Sequence, residues 1–272
     1  RVRNIFHFMS IFLQIVKEEG ELSVLHHAMK KIPDGEFIYY ADEAHVPYGE
    51  KSVEEIKTYI HSIFDFLIKE GVDAILIACN TATSVAAKEF RAQYPVPIVG
   101  MEPAVKKAVE LYGDTGKRIL VMATPVTIAG DKLHNLLERV DTEHDVDLIP
   151  LPQLVRFAEC GDFDSEEVKA YLREELKQFD LKNYTAVVLG CTHFNYFKET
   201  LRKVFPEYIH FVDGNEGTVN QLIRVTGVDA DGSRNGLEPK VTYYYSGKKV
   251  SEEEAAEIEN YMRQLDKVYS YS

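Results

Sequence analysis

The sequence predicts an α/β protein of doubly wound parallel sheets, arranged as two similar lobes. Three observations predict it. Short, continuously apolar runs alternate with longer amphipathic stretches, the pattern of strands joined by crossover helices. The apolar runs lack polar alternation, as strands buried on both faces do. One run also recurs with the residues that follow it: Asp73-Ala-Ile-Leu-Ile-Ala-Cys79-Asn80-Thr81 is echoed by Thr185-Ala-Val-Val-Leu-Gly-Cys191-Thr192-His193, about one domain length later.

In chain order, an apolar run from Ile5 to Val16 follows Arg1 and Arg3, the charge order of a signal peptide. Lys17-Glu18-Glu19-Gly20-Glu21 offers no small-residue cleavage site, which argues against that reading. Phe37-Ile38-Tyr39-Tyr40 reads as a strand ending at Asp42. Ser52 to Lys69 reads as a helix, with Val53, Ile56, Ile60, Ile63, Phe64 and Leu67 near helical spacing. Ser52 and Glu55 have the spacing of a capping box, and Gly71 stands where a left-handed residue closes a helix. Ala74 to Ala78 is a buried strand with Cys79 at its carboxyl end. Further strands are expected at Pro97–Gly100, Arg118–Met122, Val146–Ile149, Ala186–Leu189, His210–Val212 and Val241–Tyr245. Helices are expected at Pro103–Tyr112, Asp131–Arg139, Ser165–Gln178, Tyr196–Val204, Thr218–Val225 and Glu252–Leu265. In such folds ligands bind beyond the carboxyl ends of the strands, so two facing lobes would place the active site in the cleft between them.

Bulk properties exclude several classes of function. A chain of 272 residues suits one large or two medium domains and buries a core without staples. Its net charge of −13 repels phosphate backbones, so nucleic acid is not an expected partner. No apolar stretch reaches the roughly 20 residues needed to span a bilayer, so no membrane is expected either. Three cysteines, Cys79, Cys160 and Cys191, give no disulfide framework and indicate a reducing compartment, the cytoplasm. No paired Cys/His spacing of a metal site is present.

The two strand-end cysteines carry the chemistry. A thiol where a strand meets a helix start can have its pKa lowered from about 8.5 by the helix dipole. Buried free cysteine is the commoner explanation of a lone Cys. Two in matching contexts suit a reaction with two faces, such as inversion of a stereocentre: one base removes the α-proton and an acid on the other face returns one. His193, beside Cys191, suits a group that orients or deprotonates that thiol. Asn80, Thr81 and Thr192 offer hydroxyl and amide donors for carboxylates, and serve equally as helix caps. Tyr48-Gly49 is a weak turn signal, Glu159 has the context of a solvated surface acid, and Cys160 that of a structural thiol.

At these residues the chain resembles the aspartate/glutamate racemase family. The matching segments are Tyr39-Tyr-Ala-Asp-Glu-Ala-His-Val-Pro-Tyr-Gly49, Ile77-Ala-Cys-Asn-Thr-Ala-Thr83, Pro97-Ile-Val-Gly-Met-Glu-Pro103 and Leu189-Gly-Cys-Thr-His193, within a resemblance from about Leu22 to at least Gly247. The resemblance implies cofactor-independent interconversion of L- and D-glutamate, supplying D-glutamate for peptidoglycan. It implies Cys79 and Cys191 as the two bases, with His193 and Glu159 assisting the second. It implies Tyr48, Gly49, Asn80, Thr81, Thr192 and His193 as substrate-binding residues, with neither cofactor nor metal. The implied fold has a first lobe of residues 1–101 plus 213–272, completed by the C-terminal part, and a second lobe of 102–212. A homodimer is compatible with the family.

The resemblance breaks before Leu22. Family members usually open with a strand and a loop reading roughly Phe-Asp-Ser-Gly-Val-Gly-Gly, and here the Asp and Ser fall at Val16 and Lys17. Valine cannot accept a proton, so Cys79 is expected to be the weaker base. Two alternatives follow: a catalytically impaired homologue acting as a binding or regulatory protein, or a racemase of another amino acid such as aspartate.

Overall fold

A computed structural model describes residues 10–13, 22–45, 51–101, 104–228 and 239–269. The chain begins with β1 (Ser10–Leu13), α1 (Leu22–Lys31), β2 (Glu36–Ala41), α2 (Val53–Glu70), β3 (Ala74–Ile77), α3 (Asn80–Gln93) and β4 (Ile98–Gly100). It continues through α4 (Ala104–Tyr112), β5 (Arg118–Ala123), α5 (Pro125–Ala129), α6 (Asp131–Val140), β6 (Val146–Pro150), α7 (Pro152–Glu159), α8 (Glu166–Leu176), β7 (Tyr184–Leu189), α9 (Lys198–Val204) and β8 (His210–Val212). It closes with α10 (Asn215–Thr226), β9 (Lys240–Tyr245), β10 (Lys248–Lys249) and α11 (Glu252–Tyr269).

The elements fall into two compact units. The first holds β1 to β4 with their helices and gains α10, β9 and β10 from later in the chain; the second holds α4 to β8 and the part of α11 from Ile258 onward. The expected first lobe took in all of 213–272, whereas the stretch from Ile258 groups with the second unit. Ile258, Tyr261, Leu265 and Val268 are the buried positions of α11, at helical spacing. Tyr261 packs edge-on against Phe163 and Tyr196 of that unit, which anchors the end of α11 there.

The first unit is a six-stranded sheet in the order β10-β9-β2-β1-β3-β4, the second a four-stranded sheet in the order β6-β5-β7-β8. Every pairing is parallel except the β9–β10 hairpin. Leaving that edge addition aside, each unit follows one order: second, first, third and fourth strand. The doubly wound α/β class expected from the sequence is therefore observed, and the weak sequence repeat is a repeat of topology. Within the apolar run near the N-terminus, Ser10–Leu13 form the strand β1, between β2 and β3, and the rest of the run lies outside the described residues. β3 and β7 are buried at every residue, which accounts for their unbroken apolar sequences.

Helix α2 shows how local sequence fixes these elements. The Glu55 N–H donates to Ser52 Oγ at 3.3 Å while the Ser52 N–H donates to Glu55 Oε2 at 2.9 Å. Gly71 closes the other end at φ 81°, a left-handed conformation that costs a non-glycine residue strain. Ile56, Ile60, Ile63, Phe64 and Leu67 are buried along one stripe. Val53, expected on that stripe, is 52% exposed because it occupies the first turn, ahead of the contact with the sheet.

The amino ends of the second sheet are tied by a polar network. Arg118 donates through Nε to Asp147 Oδ2 at 2.5 Å and through its terminal nitrogen to Oδ1 at 2.7 Å, and the Tyr184 hydroxyl donates to Oδ2 at 2.6 Å. These groups join the starts of β5, β6 and β7. The hydrogen bonds from Arg118 hold the Asp147 carboxyl below the usual carboxylate range, and burial pushes the Tyr184 phenol up. Asp147→Ala removes the shared acceptor and is expected to cost about 1–3 kcal/mol in urea unfolding. Asp145→Ala, whose partner Arg118 Nη1 is 3.4 Å away, should cost less.

Candidate functional site

In a sheet of this order, the crevice lies at the carboxyl ends where the winding changes direction, between the first and third strands. In the first unit those strands are β1 and β3, and in the second they are β5 and β7. The residue that leads β3 into α3 is Cys79, and the residue that follows β7 after Gly190 is Cys191. The two cysteines thus occupy equivalent places in their units. Both are half-buried, Cys160 is exposed beyond α7, and none of the three is in a disulfide.

Cys79 is the N-cap of α3, with extended backbone at φ −105° and ψ 128°. Asn80 and Thr81 form the first turn of α3, and their side chains lie outside the described residues. A helix N-terminus presents unpaired N–H groups and a partial positive charge, which favour a thiolate and a carboxylate alike. Asp42, at the carboxyl end of β2, is buried and its carboxylate accepts from His45 Nδ1 at 2.7 Å. Ser246 Oγ, from the turn after β9, approaches the same carboxylate at 3.4 Å. His45 also stacks on Tyr59, with ring centroids 3.9 Å apart. These contacts fix the entrance to the segment carrying Tyr48 and Gly49, two expected substrate-binding residues that lie outside the described residues, as do Val16 and Lys17.

Cys191 caps a different element from the one expected. The sequence reading opens a helix at Tyr196. Instead Thr192–Phe197 is a 3₁₀ segment, and only from Lys198 does the chain become α-helical as α9. The reason lies in His193-Phe194-Asn195-Tyr196-Phe197. All five residues are buried, so no face is left for solvent, and the tighter coil turns each into the core. Phe194 N–H donates to Cys191 O at 3.0 Å, and Asn195 Nδ2 to Thr192 O at 3.2 Å. Lys198 Nζ, at the head of α9, pairs with Asp213 Oδ2 at 2.6 Å and ties this element to the end of β8.

His193 is fully buried, with Nδ1 3.5 Å from Cys191 Sγ. Burial pushes its pKa down to about 4, so the imidazole is neutral at neutral pH. A neutral ring can accept from the thiol in one tautomer and donate to the thiolate in the other. It suits a group that aims the sulfur and follows its proton, rather than a fixed cation. Thr192 is half-buried beside it. Glu159 is the last residue of α7, and its side chain lies outside the described residues.

Two features of this end of the second unit go beyond the motifs named from the sequence. Thr124 caps α5, accepting from the Thr127 N–H at 3.3 Å, with the two hydroxyls 3.0 Å apart at the carboxyl end of β5. Thr-Pro-Val-Thr after an apolar run is the signal that would have found it. Gly190 precedes Cys191 and donates its N–H to Met122 O at 2.8 Å. A Cβ there would stand 2.9 Å from that same carbonyl oxygen and 3.1 Å from Ala123 Cβ. Gly190→Ala is expected to part β7 from β5 at the thiol, costing about 1–3 kcal/mol in urea unfolding together with a loss of activity. Among the described residues, no cluster of three or more His, Cys, Asp or Glu is arranged to hold a metal ion. Among them, too, no helix is long and apolar enough to cross a membrane.

Fold and site together define a class: α/β proteins in which each of two like-wound units ends its central crevice in a thiol. Residues 22–222 match the model of the Asp/Glu/Hydantoin racemase family. A glutamate racemase of Campylobacter curvus is 50% identical over 254 residues, covering 92% of this chain and 95% of the relative. Glutamate racemase 2 of Bacillus subtilis is 42% identical over 245 residues, covering 90% and 91%. Among solved structures, the glutamate racemase of Campylobacter jejuni superposes with a TM-score of 0.74 at 27% identity, covering 95% of this chain and 98% of that one. The chain belongs to the Asp/Glu/Hydantoin racemase family.

Proposed function

We propose that this protein racemises glutamate, using Cys79 and Cys191 as a pair of acid–base groups and no cofactor. The observation that carries the reading is the equivalence of the two cysteines, one after the third strand of each unit, in a chain 50% identical to a glutamate racemase over nearly its whole length. One thiolate removes the α-proton of one enantiomer. The resulting carbanion, delocalised into the α-carboxylate, takes a proton from the other thiol on its opposite face. In the reverse direction the roles exchange.

In this reading the N-terminal turn of α3, with Asn80 and Thr81, and the Tyr48-Gly49 segment bind the substrate on the Cys79 side. Thr192 and His193 bind it on the Cys191 side, and His193 and Glu159 serve the proton of Cys191. Donors of this kind neutralise the α-carboxylate as charge develops on it, which is where such contacts lower a barrier most. The product would be D-glutamate for peptidoglycan, made in the cytoplasm, where reducing conditions keep the thiols available.

The test is to incubate the purified chain with L-glutamate, with nothing added, and to follow circular dichroism. The expected signal decays to zero, because enantiomers are equal in energy. An unchanged signal with L-glutamate and decay with L-aspartate would replace the substrate. No decay with either would remove the racemase reading.

A further inference from the structure

We infer that Thr83 is a positioning residue for Cys79: its hydroxyl is built into the sheet as a spacer that holds the carboxyl tips of β3 and β4 apart. The inference rests on the role proposed above for Cys79 and extends it to a residue that does not touch the substrate.

The ladder between β3 and β4 pairs Ile77 with Gly100, and Ile75 N–H donates to Pro97 O at 2.9 Å. Continued by the parallel pattern, the next rung runs from Met101 N–H to Ile77 C=O. The Thr83 hydroxyl occupies that rung. It accepts from Met101 N–H at 3.1 Å and donates to Ile77 O at 3.2 Å. At this rung the two strands are thereby joined by a two-bond bridge through an oxygen atom, where Cys79 leaves the sheet. The same residue's N–H donates to Cys79 O at 2.9 Å. That backbone bond is the first i→i−4 bond of α3, so the side-chain bridge at Ile77, two residues before Cys79, is carried on the helix turn that Cys79 caps.

Gly100 completes the device. A Cβ at Gly100 would collide with Thr83 Cγ2 and stand 3.0 Å from Thr83 Oγ1. The hydroxyl can enter the rung only because the facing residue of β4 has no side chain. Serine keeps both hydrogen bonds. Valine keeps the shape and loses both, leaving Ile77 C=O and Met101 N–H to meet directly or stay unpaired.

The experiment compares Thr83→Val and Thr83→Ser with the unsubstituted protein, in a Cys160→Ser background. Iodoacetamide alkylation of Cys79 and Cys191 is followed by mass spectrometry of the full chain. Thr83→Val should slow alkylation of Cys79 by roughly fivefold or more and leave Cys191 within about twofold, with Thr83→Ser close to the unsubstituted rate. A Cys79 rate within twofold in the valine variant, or equal slowing of both thiols, overturns the inference. A kinetic arm adds the α-deuterium isotope effect. Thr83→Val should lower kcat with little change in KM and raise the isotope effect for one glutamate enantiomer only, because each enantiomer gives its proton to one thiol. An effect equal for both enantiomers overturns the inference. Absence of racemisation in the unsubstituted protein defeats the proposed function, and the alkylation result then decides the role of Thr83 by itself.

Discussion

Cys79→Ser and Cys191→Ser should each reduce racemisation of L-glutamate by about 10³-fold or more, with Cys160→Ser indistinguishable from the unsubstituted chain. The magnitude follows from the chemistry. A positioned acid–base group contributes about 10²–10⁴-fold, and the hydroxyl of serine is many orders of magnitude less acidic than a thiol, so it can neither carry the charge nor return the proton at neutral pH. Neither thiol can replace the other, because each follows the third strand of its own unit. The exposed Cys160, beyond α7, serves as the control. Kinetics at saturating substrate measure the effect, and the loss belongs in kcat, since neither sulfur is needed to hold the carboxylates. If either single variant kept more than about a tenth of the activity, the two-base mechanism would fail.

His193→Gln should lower activity by about 10²-fold and should also reshape the dependence of stability on pH. His193 titrates near 4 in the folded chain, against about 6.5 when unfolded. Between those values the unfolded state binds the extra proton, so unfolding becomes easier as pH falls. The contribution is fully present above pH 6.5 and is lost as pH drops towards 4, a change of about 3 kcal/mol for a shift of this size. Glutamine keeps a polar group and does not titrate there. Urea unfolding of both proteins from pH 7 to pH 4 should therefore show the unsubstituted chain losing stability faster, so that the gap between them narrows. A gap constant with pH would mean that His193 is not buried as a neutral base. The same shift predicts no His193 limb in the activity profile between pH 5 and 8.

Much of this arrangement was legible because it rests on patterns that backbone physics enforces. The unbroken apolar runs ending at Cys79 and Cys191 need burial on both faces, and β3 and β7 have it. The Ser52–Glu55 box and Gly71 mark α2 to within a residue at each end. The end of the chain was less legible: the apolar stripe of α11 shows that it packs, but nothing local says against which unit. The 3₁₀ segment after Cys191 was missed because five consecutive core residues have no period to read. The role of Thr83 was hidden because a threonine in a helix's first turn has the signature of an ordinary cap. Its importance comes from Met101, which meets it only in three dimensions.

The central claim is that two groups on opposite faces exchange the α-proton. The most direct measurement is racemisation of protiated L-glutamate in deuterated water, stopped early, with both enantiomers analysed by mass. The two-base account predicts D-glutamate carrying deuterium at the α-carbon from the first turnover, while the remaining L-glutamate stays protiated. Early D-glutamate that retained its original α-proton would contradict it, because a single group would then be returning the proton it removed.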